Sequence, residues 1–174
     1  MPRPSPRIRL RRYRPGDHPQ VVALWRRAGI EISPSDQASE IERTRQRDPG
    51  LFVLAVQGQE IVGAVLGRFD GRRGWINHLA VDPHLQGRGV GARLLREVVR
   101  RLQRLGCPKV NLHVLPSNRR VVRFYERVGF RPAPMLYMER WLTKDGRDRA
   151  RRPARRRASR SARRSPRTAA PSAS

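Results

Sequence analysis

Cysteine is nearly absent. Cys107 is the only one in 174 residues, so the chain can form no internal disulfide and no cysteine-built metal cluster. It stands between Gly106 and Pro108, with no histidine in a nucleophile–base pattern, and reads as a small buried apolar residue. No run reaches 18 apolar residues, and the basic N-terminus lacks the apolar centre of a secretory signal. We therefore expect no membrane span and a cytoplasmic location. No His, Asp and Glu set has metal-ligand spacing, so no metal is expected.

Apolar residues are missing from one whole segment. Thr143–Ser174 has no Val, Ile, Leu, Phe, Trp, Tyr or Met. It cannot bury enough surface to offset the entropy of ordering it, and is expected to be a disordered Arg/Ala/Ser/Pro-rich basic tail on a folded domain of residues 1–142. Acidic residues are scarce too: 14 Asp and Glu face 39 Lys and Arg, for a formal charge of +25. About +10 of that lies in the tail and +15 in residues 1–142. Such a balance favours phosphates and nucleic acid, and it equally fits a compositional bias of the source.

Residues 1–142 alternate between apolar runs and breakers. Arg7–Arg14 is a weak first strand; Asp17 can cap a helix carrying Val21, Leu24, Trp25 and Ala28 on one face. Ser35 can cap a second helix that runs to about Arg47. Leu51–Val56, Glu60–Phe69 and Trp75–Val81 are apolar runs joined by glycine-containing turns, the pattern of an antiparallel meander. From Gly91 to Leu105 the period becomes helical, with Leu94, Leu95, Val98, Val99, Leu102 and Leu105 on one face. Lys109–Leu115 reads as a strand, Asn118–Val128 as a helix, and Phe130 and Met135–Trp141 as the last strands. The order is β-α-α-β-β-β-α-β-α-β, a mixed sheet with helices against it.

The chemistry sits where the meander ends, at Leu79-Ala80-Val81-Asp82-Pro83-His84-Leu85-Gln86-Gly87-Arg88-Gly89-Val90-Gly91. A strand, a short glycine-rich loop and a helix start follow one another. Unpaired peptide N–H groups and the helix dipole there make a place for a phosphate, with Arg88 and Arg93 adding charge. A Walker A loop is excluded, because Gly89-Val90-Gly91 leads into Ala92-Arg93 and not Gly-Lys-Ser/Thr. A dinucleotide fingerprint is excluded as well: the strand closes a meander, and Val110-Asn111-Leu112-His113, about 20 positions on, holds no acid.

Gln86-Gly87-Arg88-Gly89-Val90-Gly91 resembles the Q/R-x-x-G-x-G/A signature of GNAT-superfamily N-acetyltransferases, and Leu79–Pro83 is the family's usual approach to it. Asn118 followed by Phe124-Tyr125-Glu126-Arg127-Val128-Gly129-Phe130 is similar to the family's second signature. The likeness covers roughly residues 7–141 and is nearest to short single-domain bacterial members. It implies an α/β (α+β) GNAT fold: a mixed, mostly antiparallel sheet of six to seven strands flanked by about four helices.

The resemblance also implies an activity, acetyl transfer from acetyl-CoA to a primary amine by direct attack. Backbone groups of Leu79, Ala80 and Val81 would hold the pantetheine arm and polarise the thioester carbonyl. Gln86, Gly87, Arg88, Gly89, Val90, Gly91 and Ala92 would hold the pyrophosphate, and Asn118 would bond the cofactor, though it can equally cap its helix. Tyr125 would be the general acid, or a packing residue on its helix. For the base, Trp75-Ile76-Asn77-His78 offers no acid; His78 is the candidate, beside a water chain or an acceptor that arrives as free amine. His84 and His113 are weaker candidates.

By the same resemblance the acceptor site would draw on Ile30–Ser39 and Ala133–Tyr137, without choosing between a protein amine and a small molecule. A homodimer through the last strand is left open. A second function of another class, a nucleic-acid-associated basic protein with a sensing or inactive GNAT domain, would use the Arg-rich tail for salt-dependent, sequence-independent contacts.

Overall fold

The structure is a computed structural model that describes residues 7–140 and 142. Expectations for the tail, Thr143–Ser174, and for Trp141 lie outside the described residues. By its contacts the chain divides into two units, Met1–Arg131 and Pro132–Ser174. The first carries every regular element: β1 (Arg9–Arg12), α1 (His18–Arg27), α2 (Ala38–Arg47), β2 (Phe52–Gln57), β3 (Glu60–Phe69), β4 (Gly74–Val81), α3 (Val90–Arg104), β5 (Val110–Leu112) and α4 (Val122–Arg127).

The strands form one sheet in the order β1-β2-β3-β4-β5. The first four are antiparallel neighbours and β5 joins β4 in parallel. A strand buried on both faces reads as a continuous apolar run, and β2 and β3 are such strands. Alternate residues serve two cores. Phe52, Leu54, Val56, Ala64 and Leu66 pack with Val21, Leu24 and Trp25 of α1 and Ile41 of α2. Val53, Ala55 and Val65 pack with Val90, Leu94, Leu95, Val98 and Leu102 of α3. Burying a Leu or Val of this kind stabilises by about 1.5–3 kcal/mol. The apolar stripe of α3 ends at Leu102; Leu105, expected on it, is the C-cap residue and 54% exposed.

Helix α3 sits very close to β3. A Cβ at Gly63 would lie 2.8 Å from Leu94 Cδ1, and one at Gly67 would lie 2.5 Å from Val98 Cγ1 and 3.2 Å from the Leu51 carbonyl oxygen. A side chain at either position would force Leu94 or Val98 to shift. Two bulges shift the alternation. One falls between Ala55 and Val56 of β2 opposite β3, and the other between Ala64 and Leu66 of β3 opposite β4.

Several expectations are corrected. The described residues hold five strands, not six to seven. Residues 132–140 and 142 contain no strand or helix, and Met135, Leu136, Met138 and Leu142 are exposed. An apolar run supplies side chains for a strand but not the partner edge that makes one. Phe130 is also outside any strand; its N–H bonds the Tyr125 carbonyl and closes α4. Asp17 does not cap α1 through its side chain: its carboxylate takes both Arg11 Nη atoms at 2.6 and 2.7 Å and the Arg14 N–H at 2.8 Å. Ser35 does not cap α2, whose N-cap is Gln37. The helix expected from Asn118 starts only at Val122, after a tighter 3₁₀ stretch, Pro116–Val121.

The Gly67 seat yields a first prediction. Gly67→Ala should lower stability by about 1–3 kcal/mol through overpacking. Gly16→Ala, at a site with nothing within 4 Å of the new carbon, should be close to neutral. Urea unfolding midpoints compare the two, and equal midpoints would show that α3 does not rest on β3 this tightly.

Candidate active site

Strands β4 and β5 begin together and then part. They pair only from Gly74, Trp75 and Ile76 to Val110, Asn111 and Leu112. Strand β4 runs on to Val81 with β3 on its other side, whereas β5 has ended. From Asn77 to Val81 the β5-facing edge of β4 therefore has no strand partner among the described residues. A strand edge without a partner leaves main-chain N–H and C=O groups that a ligand can pair with. Leu79, Ala80 and Val81 lie on this stretch. The Val81 carbonyl already accepts a 3.2 Å bond from Gln86 Nε2, which ties the following loop back to the strand end.

That loop is fastened by Asp82. Its N–H bonds the Val62 carbonyl at 2.9 Å, and its carboxylate accepts from the His84 N–H and from Arg27 Nε, each at 3.1 Å. Gly87 (φ +76°) and Gly89 (φ +79°) are left-handed, while Arg88 between them is not. Alternation of hand over successive residues turns peptide N–H groups to one concave side. Helix α3 begins at Val90, and the Arg93 N–H makes a helical bond to the Gly89 carbonyl. The N–H groups of Val90, Gly91 and Ala92 come before it and have no carbonyl of the helix to bond. A carbon placed on Gly87 or Gly89 meets nothing within 4 Å, so the loop faces open space. Gln86 and Arg88 are exposed, and Arg93 Nη2 donates to the Ile8 carbonyl at 3.3 Å.

Gly91 is where three elements meet. A Cβ there would stand 3.4 Å from Val81 Cγ2 and 3.5 Å from Phe124 Cζ, so the end of β4, the first turn of α3 and α4 converge. Tyr125 follows Phe124 and packs edge-on against Phe124 and Phe130, with ring centroids 5.1 and 5.9 Å apart. Burial raises its pKa above 10, so the phenol stays protonated throughout the neutral range. Asn118 is exposed, at a non-helical break (φ −115°, ψ 31°) in the 3₁₀ stretch, and its side chain caps neither that stretch nor α4. The structure thus joins Val81, Gly91 and the helix of Tyr125.

His78 is the residue that the sequence reading placed least completely. It carries a positive φ of 44°, alone among the described non-glycine residues. It lies in the β3/β4 bulge, where His78 and Leu79 together face Val65, since Ala64 pairs Ala80 while Leu66 pairs Asn77. Ile76 faces the α3 core, and strict alternation would send residue 78 there too. The bulge turns it over: His78 meets Trp25 of α1 edge-on at 4.7 Å, and its Nε2 lies 2.6 Å from Asp36 Oδ1. Asp36 is 3% exposed. Its Oδ2 accepts from the Ser33 N–H at 2.7 Å and the Ser33 hydroxyl at 2.8 Å, in a capping box around the turn Pro34–Asp36. His18 Nε2 donates to the Asp36 carbonyl at 2.9 Å.

Burial is the largest influence on the Asp36 carboxyl and pushes its pKa up. The bonds from His78 and from Ser33 outweigh it and hold the group below its usual 3.8. Asp36 lies in the segment Ile30–Ser39 expected to serve the acceptor; its pairing with His78 was not expected, and Ser33-x-x-Asp36 was the signal available for its turn. Among the described residues no group of three or more His, Cys, Asp or Glu could hold a metal ion, and no helix is long and apolar enough to cross a membrane.

A sequence model described as the acetyltransferase (GNAT) family matches residues 18–130. Solved structures share the fold. The PaiA N-acetyltransferase of Thermoplasma acidophilum, in complex with coenzyme A, is 17% identical with a TM-score of 0.66, over 74% of this chain and 92% of that one. Ard1 of Thermoplasma volcanium is 22% identical with a TM-score of 0.62, over 74% and 86%. Glucosamine-6-phosphate N-acetyltransferase of Arabidopsis thaliana is 19% identical with a TM-score of 0.59, over 79% and 99%.

A pH dependence follows from Asp36. Its pKa is lower folded than unfolded, so its bonds add stability in full above the unfolded value of 3.8. That contribution is lost as the pH falls through the folded value. Asp36→Asn should therefore be less stable than the parent at neutral pH, and the gap should narrow below pH 3.8. Urea midpoints measured from neutral to acid test this; a gap that stays constant with pH contradicts it.

Proposed function

The chain belongs to the acetyltransferase (GNAT) family, and from that premise we propose that it transfers an acetyl group from acetyl-CoA to a primary amine. One observation carries the reading. The β4 edge left open beyond Ile76 leads directly to the alternating glycines and unpaired N–H groups at the start of α3. A long, thin ligand with a peptide-like arm and a phosphate end fits that sequence of features. Positive-φ glycines with clear space above them suit a pyrophosphate held by main-chain donors.

On this reading the Leu79 and Ala80 peptide groups bond the pantetheine arm, and one N–H beside the bulge polarises the thioester carbonyl. Gln86 keeps the Val81 end in place, and the backbone of Gly87, Arg88, Gly89, Val90, Gly91 and Ala92 holds the pyrophosphate. Asn118, whose side chain serves as no helix cap, is free to bond the cofactor. Acetyl-CoA supplies the acetyl group as an activated thioester. The acceptor nitrogen attacks it directly, Tyr125 protonates the departing sulfur, and His78 takes the proton of the amine. The raised pKa of Tyr125 supports its part, because a donor must still hold its proton at neutral pH.

Two variants test the reading. Calorimetric titration of acetyl-CoA into the full chain should show binding that Gly89→Asp weakens by at least about a hundredfold, roughly 2.7 kcal/mol. That substitution puts a carboxylate and a strained φ in the cradle. With an acceptor found from a panel of amines, Tyr125→Phe should lower kcat by about 10²–10⁴ and leave cofactor affinity unchanged. Unchanged binding in Gly89→Asp, or full turnover in Tyr125→Phe, refutes the corresponding part.

A further inference from the structure

We propose that Asp36 is the positioning residue for His78, fixing the ring with Nε2 protonated so that Nδ1 keeps the lone pair that receives the proton of the acceptor amine. The inference rests on the reading of His78 as base.

The hydrogen-bond pattern leaves little freedom. An ionised carboxylate can only accept, so the 2.6 Å contact between Nε2 and Asp36 Oδ1 requires a proton on Nε2. In the neutral ring the other nitrogen, Nδ1, is then the acceptor. The carboxylate cannot turn away: its Oδ2 is held by the Ser33 N–H and hydroxyl, and the Asp36 carbonyl is held by His18. Two of the three bonds to the carboxylate use Oδ2, which reserves Oδ1 for His78.

The backbone is committed to the same end. His78 holds a left-handed φ of 44°, a strained conformation for a non-glycine residue that persists only where the surroundings impose it. The bulge is what carries the ring from the α3 face to the α1 face, where Asp36 and Trp25 are. Trp25, fully buried, bounds the ring on one side. The same residue precedes Leu79, on the strand edge that β5 leaves open. A ring fixed at this point by a buried acid is an oriented proton acceptor.

The step balances. The nitrogen–carbon bond forms as the carbon–sulfur bond breaks; the proton of the amine goes to His78 Nδ1, and the sulfur takes its proton from Tyr125. Asp36 stays ionised and stabilises the imidazolium that results. His78 and Tyr125 then exchange protons with solvent and return to their starting states.

Asp36→Asn gives a sharp test. The two Ser33 donors demand an oxygen, so the new side chain must turn its NH₂ group toward His78, and Nε2 must become the acceptor. Long-range ¹H–¹⁵N correlation spectra of the full chain at neutral pH, with His78 assigned by comparison with His78→Gln, read the tautomer directly. The parent should show protonated Nε2 and bare Nδ1, and Asp36→Asn should show the reverse. Turnover in Asp36→Asn and in His78→Gln should each fall by about 10²–10⁴ with cofactor affinity unchanged.

A parent ring protonated on Nδ1, alone or together with Nε2, overturns the inference, and so does an inverted tautomer with undiminished kcat. If Asp36→Asn does not fold, the parent spectrum and the kcat of His78→Gln still decide. A chain that acetylates an amine with the other tautomer removes this inference alone. A chain with the expected tautomer that binds acetyl-CoA but acetylates nothing removes the reading of the site as well.

Discussion

The contact on which the rest of the molecule depends is the seat of α3 on β3. Gly63 and Gly67 leave no room for a side chain beneath Leu94 and Val98, so the helix lies as near the sheet as a backbone allows. A helix held so closely has a fixed height and direction, and its first turn falls beside the last residues of β4. The Gly91 contacts with Val81 and Phe124 are the result of that placement. Because the α3 core takes buried side chains from β2, β3, β4 and α3, a shift of the helix would disturb all of them together.

The opening in the sheet comes from a second constraint, one of length. Strand β5 is three residues long, and β4 is eight. The surplus of β4 has main-chain groups on one edge with no strand beside them among the described residues, next to a helix start whose N–H groups have no helical carbonyl to bond. Unpaired backbone is normally covered or solvated. Here two such stretches are contiguous, and the proposed site is the place where they meet.

Much of this was legible in the residues. The apolar runs at 51–69, broken by Gln57-Gly58-Gln59, give the hairpin almost to the residue, since burial on both faces leaves few polar positions to blur its ends. The three- and four-residue spacing of Leu94, Leu95, Val98 and Leu102 gives α3 for the same reason. Local chemistry at 86–91 gives the loop, because glycine at such density has few other uses. The relation between His78 and Asp36 was not legible. It depends on a bulge that flips the face of one residue, and on a turn 42 positions earlier in the chain. Neither has a periodic trace. The run expected as a strand at Met135–Trp141 failed in the opposite way over its described residues, 135–140: its composition suits a strand, and composition does not tell whether an edge is there to receive it.

A cradle made of peptide N–H groups is almost invisible to alanine scanning. Truncating the exposed Arg88 to alanine leaves every main-chain donor in place, and a scan would report a tolerant position. If the loop holds a pyrophosphate as proposed, the atoms that do so belong to no side chain. Only replacements that act on the main chain itself, a proline that deletes a donor or a branched residue forced into the left-handed region, would expose it. For this protein, a map of tolerated substitutions and a map of working atoms should be expected to disagree most where the loop does most.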